Sequence, residues 1–276
     1  MPDSIAPLSA PRVALVGFGE AGEAFARAPE WRGETRGWDI LPERRATMAR
    51  CGVATADDPG VALAGRAFFL SLVTADAALD AAREYAALLP EGALWCDMNS
   101  VAPDTKRAAA AAIEAAGGRY VDVAVMAPVE KGMAVPLLIA GPHALAAQPL
   151  LEALGFTDIR VAGEEVGRAS AIKMIRSVMV KGLEAVSWEC AAAAEAAGVF
   201  DEVMASLDAS EKPLKWAERI AYNRERMETH GLRRAAEMEE SARTLQELGV
   251  EPVMTRGTVE LQRKAAKNKN ERTRAA

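Results

Sequence analysis

RVALVGFGEAGEAFAR, residues 12–27, decides the fold. A short apolar run, Val13 to Val16, leads into Gly17, Gly19 and Gly22 spaced as GxGxxG, and a helical pattern follows at once. That order is the fingerprint of a dinucleotide site. Gly17 permits the tight turn, Gly19 lets the backbone approach a pyrophosphate, and Gly22 lets helix and strand pack closely. The loop from Gly17 through Phe18, Gly19, Glu20 and Ala21 to Gly22 is the expected phosphate cradle, at a helix start whose unpaired N–H groups suit anions. Asp39 stands twenty-two residues after Gly17, at the end of the next apolar run. A carboxylate there accepts hydrogen bonds from adenosine ribose hydroxyls and repels a 2′-phosphate, which favours NAD. Arg44 and Arg45 follow closely and leave NADP admissible.

Working outward, residues 12 to about 162 alternate apolar runs with helical stretches. Strands are expected at 12–17, 35–39, 53–55, 67–72, 93–97, 120–125, 137–140 and 158–161, with helices between most of them, as at 76–88 and 103–116. Alternation of this kind predicts a mostly parallel sheet with helices on both faces, and ligands bind beyond the carboxyl ends of its strands. The turns at Gly17–Gly22, Asp39, Val73–Thr74, Asp97–Ser100 and Met126–Pro128 are therefore expected to converge. After Gly167 no convincing strand follows. Residues 168–197 hold no proline and a single glycine, and a helix of that length would run about 45 Å. Helices at 201–209, 213–248 and 255–268 complete the pattern. The fold class is α/β: a Rossmann-like, mostly parallel sheet domain over 1–165, followed by an all-α C-terminal domain over 166–276.

Composition narrows the function. Half of the 276 residues are hydrophobic and 26% are charged, which describes a soluble globular protein with ample core. A net charge of −6 argues against a nucleic-acid partner. The last fifteen residues set six basic side chains, from Arg263 to Arg274, against Glu271 alone, and read as a solvated tail. Residues 1–11 carry three prolines and no basic residue, so they read as a loose leader and not as a signal peptide. No uncharged apolar run approaches a membrane span. Three scattered cysteines suit free thiols in a reducing cytoplasm. Two histidines, His143 and His230, leave no metal site in prospect and no convincing His–acid pair, so proton transfer is expected from another group.

The helix after Gly167 supplies that group. At ~100° per residue, Ser177, Val180 and Glu184 fall within about 40° of Lys173, with Arg176 and Lys181 on the flanks. Ile175, Val178, Met179, Gly182, Leu183 and Val186 take the opposite arc, which should pack. The polar face is expected to look into the cleft, where cationic neighbours favour a neutral Lys173 able to act as a base. Asn99 and Ser100 follow the apolar run ALWCD and precede Pro103 at a helix start, where they can bond a ribose or a substrate, cap the next helix, or both.

GFGEAG, DMNSVAPDTKR, DVAVMAPVEKG with PLLIAGP, and GRASAIKMIRSVMVKG occur together in an order that resembles the β-hydroxyacid dehydrogenase superfamily over about residues 12–190. That superfamily includes 6-phosphogluconate and 3-hydroxyisobutyrate dehydrogenases. The segment THGLRRAAEMEESARTLQELGVEPVM resembles the helical domain of a bacterial branch of 6-phosphogluconate-dehydrogenase-like NAD(P)-dependent oxidoreductases. The resemblance implies hydride transfer between a nicotinamide cofactor and a hydroxyl or carbonyl substrate, with Lys173 as general acid and base and Asn99 and Ser100 near the nicotinamide. It also implies a homodimer through residues 168–276, with Arg233 or its neighbour Arg234 reaching a shared site. Two departures concern the substrate. Met126, Ala127 and Pro128 replace the family's Ser-Gly-Gly loop, and Ser177, preceded by Arg176, replaces its Asn. An apolar, even aromatic, substrate therefore suits the site better than a sugar phosphate. A redox-neutral C–C lyase with bound NAD, and a nucleotide-binding regulatory protein without turnover, are the competing readings.

Overall fold

A computed structural model describes residues 12–28, 31, 35–210 and 213–275. The leader expected over 1–11 lies outside the described residues, as do the side chains of Lys269, Arg272 and Arg274 in the tail. The chain divides into two compact units, Met1–Arg176 and Ser177–Ala276. The division falls within a helix, eleven residues beyond the boundary expected at 165.

The first unit opens with β1 (Val13–Val16), α1 (Glu20–Phe25), β2 (Arg36–Trp38), α2 (Pro42–Arg50) and α3 (Pro59–Leu63). β3 (Phe68–Ser71), α4 (Ala78–Ala86), β4 (Leu94–Asp97), α5 (Pro103–Ala115) and β5 (Arg119–Val125) follow. A 3₁₀ segment at Val129–Ala134, kinked at Gly132, leads to β6 (Leu137–Ala140), α6 (Ala144–Ala153) and β7 (Ile159–Gly163). The strands form one seven-stranded sheet in the order β2-β1-β3-β4-β5-β6-β7. Every pairing is parallel except β5 with β6. The expected strand at 53–55 does not form. Ala54 makes a single bridge to Arg36, on an edge too short to carry a ladder.

Burial explains why these strands read as unbroken apolar runs. Leu15, Leu70, Cys96 and Val123 face one side and pack with Phe25, Met48, Leu151 and Phe156. Val16, Phe69, Trp95 and Tyr120 face the other and pack with Ala82, Tyr85, Ala109 and Ile113. A sheet covered on both faces leaves no position for a polar alternate. The exceptions, Ser71, Asp97 and Asp122, are buried polar residues near the carboxyl ends of β3 and β4 and within β5. Desolvation raises the pKa of the Cys96 thiol, so that cysteine is a core residue.

The second unit consists of most of α7 (Arg168–Ala197), then α8 (Phe200–Ser210), α9 (Trp216–Glu247) and α10 (Val253–Ala275). α9 and α10 pack closely: a Cβ on Gly231 would stand 2.3 Å from the Gln262 carbonyl oxygen. Glu189 of α7 ties to the start of α10, accepting from the N–H groups of Met254 (2.8 Å) and Thr255 (2.9 Å). The apolar arc of α7 does not pack in the single chain. Ile175 and Val178 are 73% and 76% exposed, and Met179, Leu183 and Val186 are exposed as well. Among the described residues, no helix is long and apolar enough to cross a membrane.

Candidate active site

A cleft of about 590 Å³ lies at the carboxyl ends of β1, β2 and β3. Gly17, Gly19, Glu20, Ala21, Asp39, Val73 and Thr74, all expected at a cofactor site, line it together. Its shape depends on two of the glycines. Gly17 has φ +89°, and a Cβ there would meet the Leu72 carbonyl carbon and oxygen at 2.8 Å. Gly19 has nothing within 4 Å of where a Cβ would stand. It caps α1 without covering the first turn, so those N–H groups are left for a ligand. Gly22 serves packing, its Cβ position lying 3.0 Å from the Phe18 ring. Phe18 itself turns its ring into the core and shapes the loop without lining the cleft.

Asp39 has a second role that sequence reasoning missed. Its carboxylate accepts from the N–H of Phe18 at 2.7 Å and of Leu41 at 2.9 Å. It therefore braces the glycine loop while still lining the cleft, and leaves oxygen lone pairs for hydroxyl donors. The two arginines separate. Arg45 lies over the Trp38 ring at 4.8 Å and donates to the Asp39 carbonyl at 2.8 Å, so it is a structural residue. Arg44 lines the cleft, 3.8 Å from Glu23. Trp38, Ile40, Leu41, Ala77 and Ala81 add an apolar wall suited to a purine. Trp38 Nε1 donates to the Tyr85 hydroxyl at 2.9 Å, and burial raises the Tyr85 pKa, so the phenol stays neutral.

A second cluster forms where β3, β4 and α7 end or begin. Asn99 is buried, and its Nδ2 donates to Ser71 Oγ at 2.9 Å. Its Oδ1 is buried with no hydrogen-bond partner in the structure. The backbone N–H of Asn99 donates to Asp97 Oδ1 at 2.9 Å, which fixes the turn. Ser100 accepts a 2.5 Å hydrogen bond from Lys173 Nζ, seventy-three residues away in sequence. The structure thus brings Asn99, Ser100 and Lys173 together, with Lys173 half-buried.

Met126 and Ala127 are half-buried and Pro128 is exposed. The Met126 N–H donates to the Pro136 carbonyl at 2.8 Å, and its side chain packs with Ala124, Leu138 and Ala169. Arg176 is exposed, one turn beyond Lys173 on α7. Ser177 and Arg233 belong to the helical unit, Ser177 half-buried and Arg233 exposed on α9. Asp97 was expected only as the start of the Asp97–Ser100 turn, and its partners Lys106, Asp122 and Tyr120 went unremarked in the sequence. They form a buried polar group beneath the Asn99–Ser100 turn. Aspartates inside otherwise apolar strands were the signal, because a buried carboxylate needs a partner.

A dinucleotide fits these residues on two observations: the open space over Gly19 and the unsatisfied Asn99 Oδ1. Comparison with known proteins agrees. Residues 12–163 match the model of the NAD-binding domain of 6-phosphogluconate dehydrogenase, and residues 194–265 match a domain of unknown function, DUF1932. The chain belongs to the family defined by that NAD-binding domain, and so to the NAD(P)-binding oxidoreductases. It is 36% identical to a conserved hypothetical protein from Sinorhizobium meliloti, covering 93% of this chain and 89% of that one with a TM-score of 0.61. It is 30% identical to a conserved protein described as structurally similar to 3-hydroxyacid dehydrogenases, covering 92% and 96% with a TM-score of 0.60. An imine reductase from Myxococcus stipitatus in complex with NADP+ shares the fold at 19% identity, covering 94% and 95% with a TM-score of 0.74.

Proposed function

We propose that this protein oxidises a hydroxyl group, or reduces the matching carbonyl, with NAD as the redox partner and Lys173 as the general acid and base. The observation that carries this reading is the 2.5 Å contact between Lys173 Nζ and Ser100 Oγ, which sets an amine on the turn that carries Asn99. In oxidation Lys173 takes the hydroxyl proton, and in reduction it returns one to the carbonyl oxygen. Ser100 holds the amine in place, and Asn99 orients the reacting groups through its unsatisfied oxygen. When bound, the nicotinamide supplies the hydride acceptor or donor. Lys173 and Arg176 also favour a neutral carbonyl over a cationic iminium, which like charge would repel.

Within the cleft, Glu20, Asp39, Asp80 and Glu84 set four carboxylates against Arg44. That balance favours NAD over the extra phosphate of NADP. The Met126–Pro128 turn offers little to an anion, since the Met126 N–H is taken and Pro128 has none. A substrate with an apolar body fits it better than a sugar phosphate. The exposed arc of α7 supports a homodimer through the helical unit, and in that assembly Arg233 is a candidate substrate contact. The three unpaired cysteines suit a reducing cytoplasm.

The test is a panel of apolar and aromatic β-hydroxy acids, and the carbonyl compounds they yield, followed by both nicotinamide absorbance and product analysis. A net absorbance change with product supports the dehydrogenase. Product without net absorbance change identifies a redox-neutral lyase. Neither, with NADH bound, leaves a regulatory nucleotide-binding protein.

A further inference from the structure

We propose that Lys106 is a positioning residue that sets the contact between Lys173 and Ser100, an inference that rests on the reading of Lys173 above. Lys106 is fully buried on α5. Its Nζ donates to the Asp97 carbonyl at 2.6 Å, to Asp97 Oδ1 at 3.0 Å and to the Val123 carbonyl at 3.4 Å, and lies 3.6 Å from Asp122 Oδ1. Each carboxylate then holds one half of the site. Asp97 accepts from the Asn99 N–H at 2.9 Å and the Tyr120 hydroxyl at 2.6 Å. Asp122 Oδ2 accepts from the N–H groups of Gly167 and Ser170, each at 3.1 Å, and from Ser170 Oγ at 3.3 Å. Lys173 lies one turn beyond Ser170, and Ser100 adjoins Asn99. The contacts therefore close a ring: Ser100, Asn99, Asp97, Lys106, Asp122, Ser170, Lys173 and back to Ser100.

Charge makes the bridge necessary. Two buried carboxylates near one another repel strongly in a medium of low polarity. The Lys106 ammonium offsets one charge, and the N-terminal end of the thirty-residue α7 answers part of the other. Removing the ammonium leaves Asp97 and Asp122 to separate or to take up a proton. Either response loosens the Asn99–Ser100 turn, the first turn of α7, or both. Gly167 lets the chain turn tightly into this tether, with φ +97° and a Cβ position 2.5 Å from Arg107 Nη1. A charged group kept only for stability would be replaceable as a whole by well-packed apolar side chains, because buried ion pairs add little net stability, whereas loss of the lysine alone strands two buried carboxylates.

The test is competitive labelling of the folded protein with trace acetic anhydride, read by peptide mass spectrometry at Lys173 relative to exposed Lys131. Ser100→Ala marks the signal of a lost contact. Lys106→Met should raise Lys173 labelling several-fold, as Ser100→Ala should. Asp122→Ala, which leaves Lys106 and Asp97 as a neutral pair, should do the same, and it decides the matter if Lys106→Met fails to fold. Lys106→Met combined with Asp122→Asn restores the charge balance and should return labelling toward the wild-type level. Wild-type labelling in folded Lys106→Met or Asp122→Ala protein overturns the proposal. Labelling reads the contact and not turnover, so an active Lys173→Met enzyme would remove the catalytic reading and leave this result standing.

Discussion

The two units bury their surface in different ways. In the sheet unit large side chains are fully enclosed, among them Trp95, Tyr120, Phe18, Phe25 and Phe69. In the helical unit the buried apolar residues among those described are small: Ala193, Ala194, Ala235, Ala242, Val259 and Ala266. Several of its large apolar residues stand outside, with Trp188 at 80% exposure and Trp216 at 54%. The sheet unit can therefore fix the cleft and the Asn99–Ser100 turn by its own packing. The helical unit leaves apolar surface exposed that its own packing does not cover.

The largest expected effect lies on the sheet side of this contrast. Lys173→Met should lower turnover by about 10²–10⁴-fold, the usual contribution of a positioned acid or base. NADH affinity, measured by fluorescence titration, should hold because the glycine loop keeps its own supports. A variant retaining most of its turnover would show that the proton moves through another group.

Next comes the helical side. Val178→Asp places a charge within the exposed apolar arc of α7. If that arc is a dimer interface, the substitution should weaken association by about 3 kcal/mol, roughly a hundredfold in the dissociation constant. Light scattering should then move from twice the chain mass of 29.3 kDa toward the single mass. A wild-type protein already monomeric on dilution would end the contrast between a self-contained unit and one awaiting a partner.

How far the sequence reaches follows the same division. Seven of the eight expected strands form because a doubly covered sheet writes itself as apolar runs, and only the edge segment at 53–55 misleads. The glycine loop and Asp39 were legible because their spacing is fixed by a ligand's dimensions. The brace from Asp39 to the Phe18 N–H was not, since it depends on how β2 ends beside β1. Lys106 was hidden for another reason. On an alanine-rich helix a lysine ordinarily reads as solvated, and only the packing of α5 against the sheet carries it beneath Asp97 and Asp122. The apolar arc of α7 was legible, and so was a helical unit too small to cover it alone, but not what covers it, because periodicity marks a face without naming its partner.

A smaller effect is expected at the cleft. Asp39→Asn keeps an oxygen for the Phe18 or Leu41 N–H but removes the charge. The preference for NAD over NADP should narrow by about tenfold, or ~1.4 kcal/mol, in parallel fluorescence titrations. An unchanged ratio would mean that the other carboxylates of the cleft, or Arg44, set the choice.

An effect of similar size tests whether the helical unit has any fixed polar anchor of its own. Glu189 is buried, and desolvation alone would raise its pKa. Hydrogen bonds from Thr255 Oγ1 and from the N–H groups of Met254 and Thr255 outweigh that and hold it below the ordinary carboxylate value. A group whose folded pKa is depressed adds stability above its unfolded pKa and loses it as pH falls through the folded one. Glu189→Gln replaces one acceptor oxygen with an NH₂ group facing donors, and should destabilise by about 1–2 kcal/mol near neutral pH. In acid the wild-type carboxyl protonates and faces the same shortage of acceptors. The gap in urea midpoints between the two proteins should therefore close as pH falls below the usual carboxylate range. A gap that stays constant with pH would show that Glu189 contributes by shape alone, and that the start of α10 is held by packing and not by charge.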